Sequence, residues 1–496
     1  MNIHSIIQAN YRKVKSNQYS LWWSILASVI LILYVSELVE SSMYIDGVWY
    51  AVISQNLSQG IGSFWFPKFS ETFFSTFHEH PPLMFGIQSW YFSIFGNAWL
   101  TERFYSFTQY GGIAVLIVFL WRKTFYLRPN LKKIWFIPLL FWQVNLANYY
   151  YLPANLLESP LTIFNLMTIA FLWKVGEGQK VFFNLLIAGF LLFLAFLTKG
   201  FVGLFPLAFL GIYWLIFRQS SFITMMGRSI LLLSIFCGYF IILFLLQPQA
   251  IESLTNYLDV QVLASLKGER RLYYFRENRF FILGQMGIIL FPMLIATVVN
   301  ILITKRQKET NIDVKRVFQT YEAKIAFVFL LTGLSASLPI IISPRQALPY
   351  LLPSIPFFSL SIGIILSFFF FEWWEKFTIK QVKWFPILRV ISGGFLLLSI
   401  TFCMHKFGKS NHRDSAIIND AQKIGEVTGK QQTISSTEYN MYISGYLMRF
   451  NQVSIDTSNI AHPFLVTTKG KQIPSSLYKL VPLSTLQYDL YQKIAK

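Results

Sequence analysis

The chain has 496 residues, of which 54% are hydrophobic and only 13% are charged, whereas an ordinary soluble domain carries about 25% charged residues. The formal net charge is +19, but the basic residues fall in separate loops between apolar runs rather than on one soluble face, which excludes a nucleic-acid-binding protein. The two cysteines, Cys237 and Cys403, both lie in apolar runs. They predict neither a disulfide framework nor a zinc cluster.

Apolar runs long enough to cross the hydrocarbon layer of a membrane recur almost to the end of the chain. They predict eleven spans, the first of which lacks a small-residue cleavage site and is expected to remain as an anchor. The run 83-96 is interpreted as an interfacial helix, because counting it as a span would move the basic loop from Arg122 to Lys133 to the other side. The alternative that 83-96 spans stays open. The predicted spans are 20-38, 101-121, 134-151, 157-174, 181-198, 202-217, 229-247, 279-303, 325-342, 350-371 and 387-404.

Basic residues concentrate in every second loop between these spans. Since such loops face the cytoplasm, the pattern predicts a cytoplasmic N-terminus and, with an odd number of spans, an external C-terminus. Residues 1-404 are then a transmembrane domain with two long external loops, 39-100 and 248-278. Residues 405-496 are far less apolar and alternate β-like with amphipathic stretches, which predicts a small external α/β domain. A few poorly ordered strands would give much the same pattern.

One carboxylate follows the first predicted span closely, in Asp46-Gly-Val-Trp-Tyr50. An acid this near the bilayer is costly, which favours a functional role, such as a base that takes the proton of an acceptor hydroxyl. The alternative is structural, because Asp before a helical run is also a common N-cap. The residues alone favour neither the functional role nor the structural N-cap.

The same external loop carries His78-Glu79-His80-Pro81-Pro82. Two histidines two residues apart do not match the four-residue spacing of zinc-binding helices. Glu79 and His80 are therefore predicted to contact substrate or to orient the loop, with a metal site as the weaker alternative. The two prolines end the loop and start the next helix.

Further charged residues lie at the external ends of predicted spans. Glu158 stands at the start of the fourth span, where a helix N-terminus favours a carboxylate for structural reasons alone. Glu158 and Asp46 could together hold a divalent cation as a cofactor, or could divide base and orienting roles between them. The basic residues suit a lipid phosphate at the bilayer edge, although snorkelling towards lipid headgroups explains most such residues individually. They are Lys199, Arg270, Arg271 and Arg345.

The order and membrane side of these motifs resemble the GT-C glycosyltransferases that use lipid-linked sugars, with the bacterial aminoarabinose transferase and protein O-mannosyltransferase families as the nearest. The resemblance covers roughly residues 20 to 370. It departs from the family at Gly47, where many members have a second acid, and at Glu158, where Asp is usual. It implies catalytic roles for Asp46 and Glu158. It implies substrate binding by Glu79, His80, Lys199 in Thr198-Lys199-Gly200, Arg270, Arg271, Arg345, and Tyr350 in Tyr350-Leu-Leu-Pro353.

The resemblance implies an all-α polytopic membrane protein of GT-C type with external amphipathic loop helices. It also implies an inverting transfer of a sugar from a polyprenyl-phosphate donor to an envelope acceptor (lipid A, protein or another glycan) at the periplasmic face of the bacterial inner membrane. The absence of a Gly-rich nucleotide motif agrees with a lipid-linked donor. Two alternatives remain. One is a transporter of a lipid-linked sugar, which should show paired repeats, and the other is a non-catalytic subunit of an envelope-polymer assembly.

Overall fold

The computed structural model describes residues 19-264, 280-306, 313-343, 346-380, 384-471, 473 and 477-494. Residues 378-380 are described by their backbone alone. The helices, in chain order, are α1 (Ser20–Leu38), α2 (Ile45–Ser58), α3 (Leu83–Phe95), α4 (Leu100–Thr124), α5 (Pro129–Lys132), α6 (Phe136–Gln143), α7 (Leu146–Tyr151), α8 (Glu158–Gly176), α9 (Val181–Lys199), α10 (Phe209–Phe217), α11 (Phe222–Leu246), α12 (Gln249–Tyr257), α13 (Phe281–Arg306), α14 (Val314–Phe318), α15 (Tyr321–Ser337), α16 (Ile355–Lys380), α17 (Phe385–Lys406), α18 (Ser415–Thr428) and α19 (Met441–Asn451).

Within the described residues, eight helical segments are long and apolar enough to cross a membrane. A ninth is obtained if the bent pair Leu146–Ala154 and Glu158–Gly176, which turns by 105°, is one span. The predicted all-α polytopic class is confirmed. Helix α3 has 13 residues, or about 20 Å, which is short of the roughly 30 Å hydrocarbon core and agrees with the interfacial interpretation. The predicted span 134-151 is, however, not one continuous helix.

The predicted spans 181-198 and 202-217 both lie in the apolar helical segment Val181–Phe217, which is 37 residues long. Gly200 has a φ of +67°, a conformation that suits glycine. A Cβ added to Gly203 would lie 2.9 Å from the carbonyl oxygen of Ala195, although the two residues would be about 12 Å apart along a straight helix. The segment therefore folds back at Gly200 as a helical hairpin.

The predicted span 134-151 is wrong as a single helix. Its two pieces, α6 and α7, are separated at Asn145, whose side chain caps the start of α7. Phe136 stacks on Trp22, near the start of α1, with ring centroids 5.7 Å apart. Tyr149 donates a 2.8 Å hydrogen bond to Glu37, near the end of α1. The stretch thus runs alongside most of α1, but in two short helices.

The residues after α17 form a small α/β unit, as the sequence predicts; residues 411-494 are called the C-terminal unit below. Its strands are β1 (Thr433–Ser436), β2 (Ser454–Asp456), β3 (Phe464–Thr468), β4 (Tyr478–Leu480) and β5 (Tyr488–Lys493). They form a five-stranded sheet in the order β2-β1-β3-β5-β4. Strand β1 is parallel to β2 and β3, and β5 is antiparallel to β3 and β4.

Two hydrophobic clusters organise the described residues. One fills the helix bundle. The other joins α2, α3 and the loop between them to the C-terminal unit, and includes Val48, Phe85, Ile424, Leu447 and Leu490. The C-terminal unit and the first loop therefore share one core, in which α19 packs against α2.

Candidate active site

Asp46 lies in the first turn of α2 and is half-buried. The N-cap of α2 is Tyr44, which makes no side-chain capping hydrogen bond. The interpretation of Asp46 as an N-cap is therefore wrong, although a first-turn acid still gains from the helix dipole.

Gly47 brings the start of α2 against the turn that leads to Glu158. A Cβ at this position would collide with the carbonyl oxygen of Ala154. The side chain of Asn155 donates a 2.9 Å hydrogen bond to the carbonyl oxygen of Gly47. A second acid directly after Asp46 has no room here, which gives the departure at Gly47 a physical reason.

A buried polar network fixes this contact. Gln88 of α3 donates to the side-chain oxygen of Asn155 at 2.8 Å and accepts from Ser54 of α2 at 2.9 Å. All three side chains are buried, where satisfied hydrogen bonds hold a single arrangement. The network locks α2, α3 and the approach to α8 together, and sequence reasoning missed it.

Arg103, at the head of α4, is a loop anchor. Its buried guanidinium donates to the carbonyl oxygen of Pro153 at 3.1 Å and to that of Ser42. These carbonyls come shortly before Glu158 and Asp46 respectively. Arg103 therefore binds both the segment that leads to Asp46 and the segment that leads to Glu158.

Tyr50 is buried one helical turn after Asp46. Burial raises the pKa of Tyr50 well above its ordinary value, and the charges of Asp46, Glu158 and Glu79 raise it further. The ring of His80 meets that of Tyr50 edge-on, with centroids 5.9 Å apart. Helix α2 and the His80 loop therefore bring Asp46 and His80 to the same phenol.

Glu158 and Lys199 form a buried ion pair, with side chains 4% and 10% exposed. Glu158 is in the first turn of α8 and Lys199 is the last residue of α9. The Lys199 ammonium also lies 5.4 Å from the centroid of the Tyr350 ring. Sequence reasoning named all three residues but not their pairing. An anionic ligand at Lys199 would compete with Glu158 for the ammonium.

The remaining predicted residues are placed as follows. Arg270, Arg271 and Arg345 lie outside the described residues. Burial lowers the pKa of His78, and the charge of Glu252 opposes this shift. In the part of the chain that the structure describes, no group of three or more His, Cys, Asp or Glu side chains could hold a metal ion.

No family profile matches the sequence, and no curated protein matches it at a significant level. Solved structures do match. ArnT from Cupriavidus metallidurans bound to undecaprenyl phosphate aligns with 96% of this chain and 98% of its own, at 12% identity and a TM-score of 0.63. ArnT from the same organism in the apo state aligns over the same shares, at 14% identity and a TM-score of 0.59. The chain has the fold of ArnT.

This match confirms the predicted GT-C fold, and it extends beyond residue 370 to the C-terminal unit. At 12% identity the ArnT fold assigns no role to a residue. The roles must come from the arrangement around Tyr50 and Lys199.

Proposed function

We propose that this protein is a membrane glycosyltransferase that moves a sugar from a polyprenyl-phosphate donor to an envelope acceptor, a lipid, a protein or another glycan. The observation that carries the proposal is the buried ion pair of Glu158 with Lys199, beside the Tyr350 ring, where the turn before Glu158 packs against the start of the helix that carries Asp46. The ArnT fold supports it, since one structure with this fold holds undecaprenyl phosphate.

The proposed reaction is a single inverting displacement. The acceptor oxygen attacks the anomeric carbon, the bond from that carbon to the phosphate oxygen breaks, and the electron pair leaves with the lipid phosphate. Asp46 takes the acceptor proton as general base. Lys199 stabilises the negative charge on the departing phosphate, while Glu79 and His80 orient substrate.

The proposed site faces the periplasm of a bacterial inner membrane, with the N-terminus in the cytoplasm. Basic residues at the opposite end of the bundle support this orientation. Helix α8 begins at Glu158 and ends near the ion pair of Lys123 with Glu177, which are 3.0 Å apart. Arg128 pairs with Glu322 at 2.7 Å. Since positive loops face the cytoplasm, these basic residues support an external position for the Glu158 end.

The test is transfer by the purified protein. A short-chain polyprenyl-phosphate sugar is supplied with lipid A, a Ser/Thr-rich peptide and envelope glycans, and mass spectrometry follows the products. We expect a new glycosidic bond on one acceptor. Movement of the intact donor across a vesicle membrane, without transfer to any acceptor, would overturn the proposal in favour of a transporter.

The ion pair makes a separate prediction about donor binding. Lys199→Gln removes the cation, so the donor KM should rise about tenfold or more, as expected for a lost hydrogen bond to a charged group. Glu158→Gln keeps the ammonium and removes its competitor, so the donor KM should stay equal or fall. Steady-state kinetics with a short-chain donor measures both.

The double variant, with Gln at both positions, leaves no buried charge unpaired. It separates a loss of fold from a loss of binding. A donor KM for Lys199→Gln equal to that of the parent protein would contradict phosphate binding by Lys199.

A further inference from the structure

The C-terminal unit contacts the backbone and side chains on both sides of Asp46. The hydroxyl of Tyr446 accepts a 3.3 Å hydrogen bond from the backbone N–H of Met43. It donates to Asp414 at 3.2 Å. On the other side of Asp46, the indole N–H of Trp49 donates to the carbonyl oxygen of Met441 at 3.2 Å.

The far end of α2 is held by the same helix of the C-terminal unit. Arg449 donates to the side chain of Gln55 at 3.0 Å and forms a buried ion pair with Glu102 at 2.7 Å. Helix α19 therefore forms hydrogen bonds with the residue just before the first turn of α2, with the middle of α2 and with the end of α2.

These contacts matter most at the first turn of α2. The first N–H groups of a helix have no partner within the helix and depend on a cap. Tyr44, the N-cap, supplies no side-chain hydrogen bond. The tie from Asp414 through Tyr446 to Met43 is buried, with Tyr446 and Asp414 only 2% and 1% exposed. These hydrogen bonds hold the backbone of Met43, three residues before Asp46, against the C-terminal unit.

We propose that the C-terminal unit positions Asp46 for catalysis, with Tyr446 as the positioning residue that fixes the start of α2. Tyr446 acts through the Met43 backbone and does not touch the reacting atoms. The prediction for turnover rests on the proposed transfer reaction, whereas the prediction for the order of α2 does not.

Tyr446→Phe tests the proposal, since it removes one oxygen and keeps the ring in the shared core. We expect kcat to fall about tenfold with the donor KM unchanged, because a small displacement of a catalytic group lowers the rate without weakening ground-state binding. Hydrogen exchange of the amides in residues 43-50 should become about tenfold faster.

Tyr478→Phe is the matched control. Its hydroxyl is also in the C-terminal unit, is attached to a ring only 4% exposed, and contacts the carbonyl oxygens of Ile460 and His462, away from α2. It should lower thermal stability to a similar extent but leave kcat and the exchange of residues 43-50 unchanged.

Equal exchange of residues 43-50 in Tyr446→Phe and the parent protein would overturn the proposal. An equal loss of kcat in both variants would also overturn it, since it would reduce the effect to general destabilisation. If no protein transfers sugar, the proposed function fails, and the exchange measurement still decides the positioning role.

Discussion

Replacing Asp46 with Asn should lower kcat about a hundredfold or more while leaving the protein folded. Asn has the shape of Asp but cannot accept the proton of an acceptor hydroxyl, and general acid–base catalysis is worth about 10² to 10⁴ in rate. The first-turn charge contributes at most about 1 kcal/mol through the helix dipole. The fold should therefore survive. Turnover of a short-chain donor and thermal unfolding in detergent measure the two effects.

Asp313→Asn is the control, because it makes the same chemical change at the exposed N-cap of α14, where Asn caps equally well. It should leave turnover unchanged. Transfer at the parent rate by a well-folded Asp46→Asn protein would remove the role of base from Asp46.

The substitution with the largest expected effect on stability is Arg449→Met. The five N–H groups of Arg449 donate to Glu102, Gln55 and the carbonyl oxygens of Asn97 and Ala98 at 2.7 to 3.1 Å. Removing the cation leaves the Glu102 carboxylate buried and unpaired, which typically lowers stability by about 3 to 5 kcal/mol. Thermal unfolding in detergent should shift down by several degrees, and proteolysis should cleave the C-terminal unit first.

Two further variants decide whether the buried charge is the cause. Adding Glu102→Gln to Arg449→Met removes that charge and should recover part of the loss. Lys471→Met breaks an exposed pair with Glu438, and such pairs contribute at most about 1 kcal/mol. An Arg449→Met protein as stable as Lys471→Met would show that the buried pair contributes little.

Much of the fold was predictable, because membrane spans are read from local composition. The helical bundle, the separation of the spans 181-198 and 202-217 and the change to an α/β unit near residue 404 follow from hydropathy. The interfacial interpretation of α3 follows from the side of the basic loop after α4. The break at Asn145 affects single residues within an apolar run. A hydropathy window averages over about 19 residues, so it does not predict where such a run breaks.

The candidate site was predictable in its residues but not in their pairing. Asp46, Glu79, Glu158 and Lys199 stand out as charges at the ends of apolar runs, whereas the partner of each depends on contacts between distant segments. Glu158 and Lys199 are 41 residues apart. Gln88 and Asn155 gave no signal at all, since sequence does not show that a polar side chain is buried.

Gly47 carries a local signal of long-range structure that the sequence analysis did not use. A glycine inside a helix lowers stability by roughly 0.5 to 1 kcal/mol relative to Ala, so a glycine beside the candidate base is consistent with a close backbone approach. The contact with Ala154 is that approach.

The tie between Met43 and Tyr446 spans 403 positions of the chain, and this separation affects biogenesis. At a synthesis rate of about 5 to 20 residues per second, the ribosome makes Tyr446 roughly 20 to 80 s after Met43. During that interval α2 lacks the C-terminal unit with which it shares a core. If Tyr446 positions Asp46 as proposed, a chain that ends before the C-terminal unit should not transfer sugar.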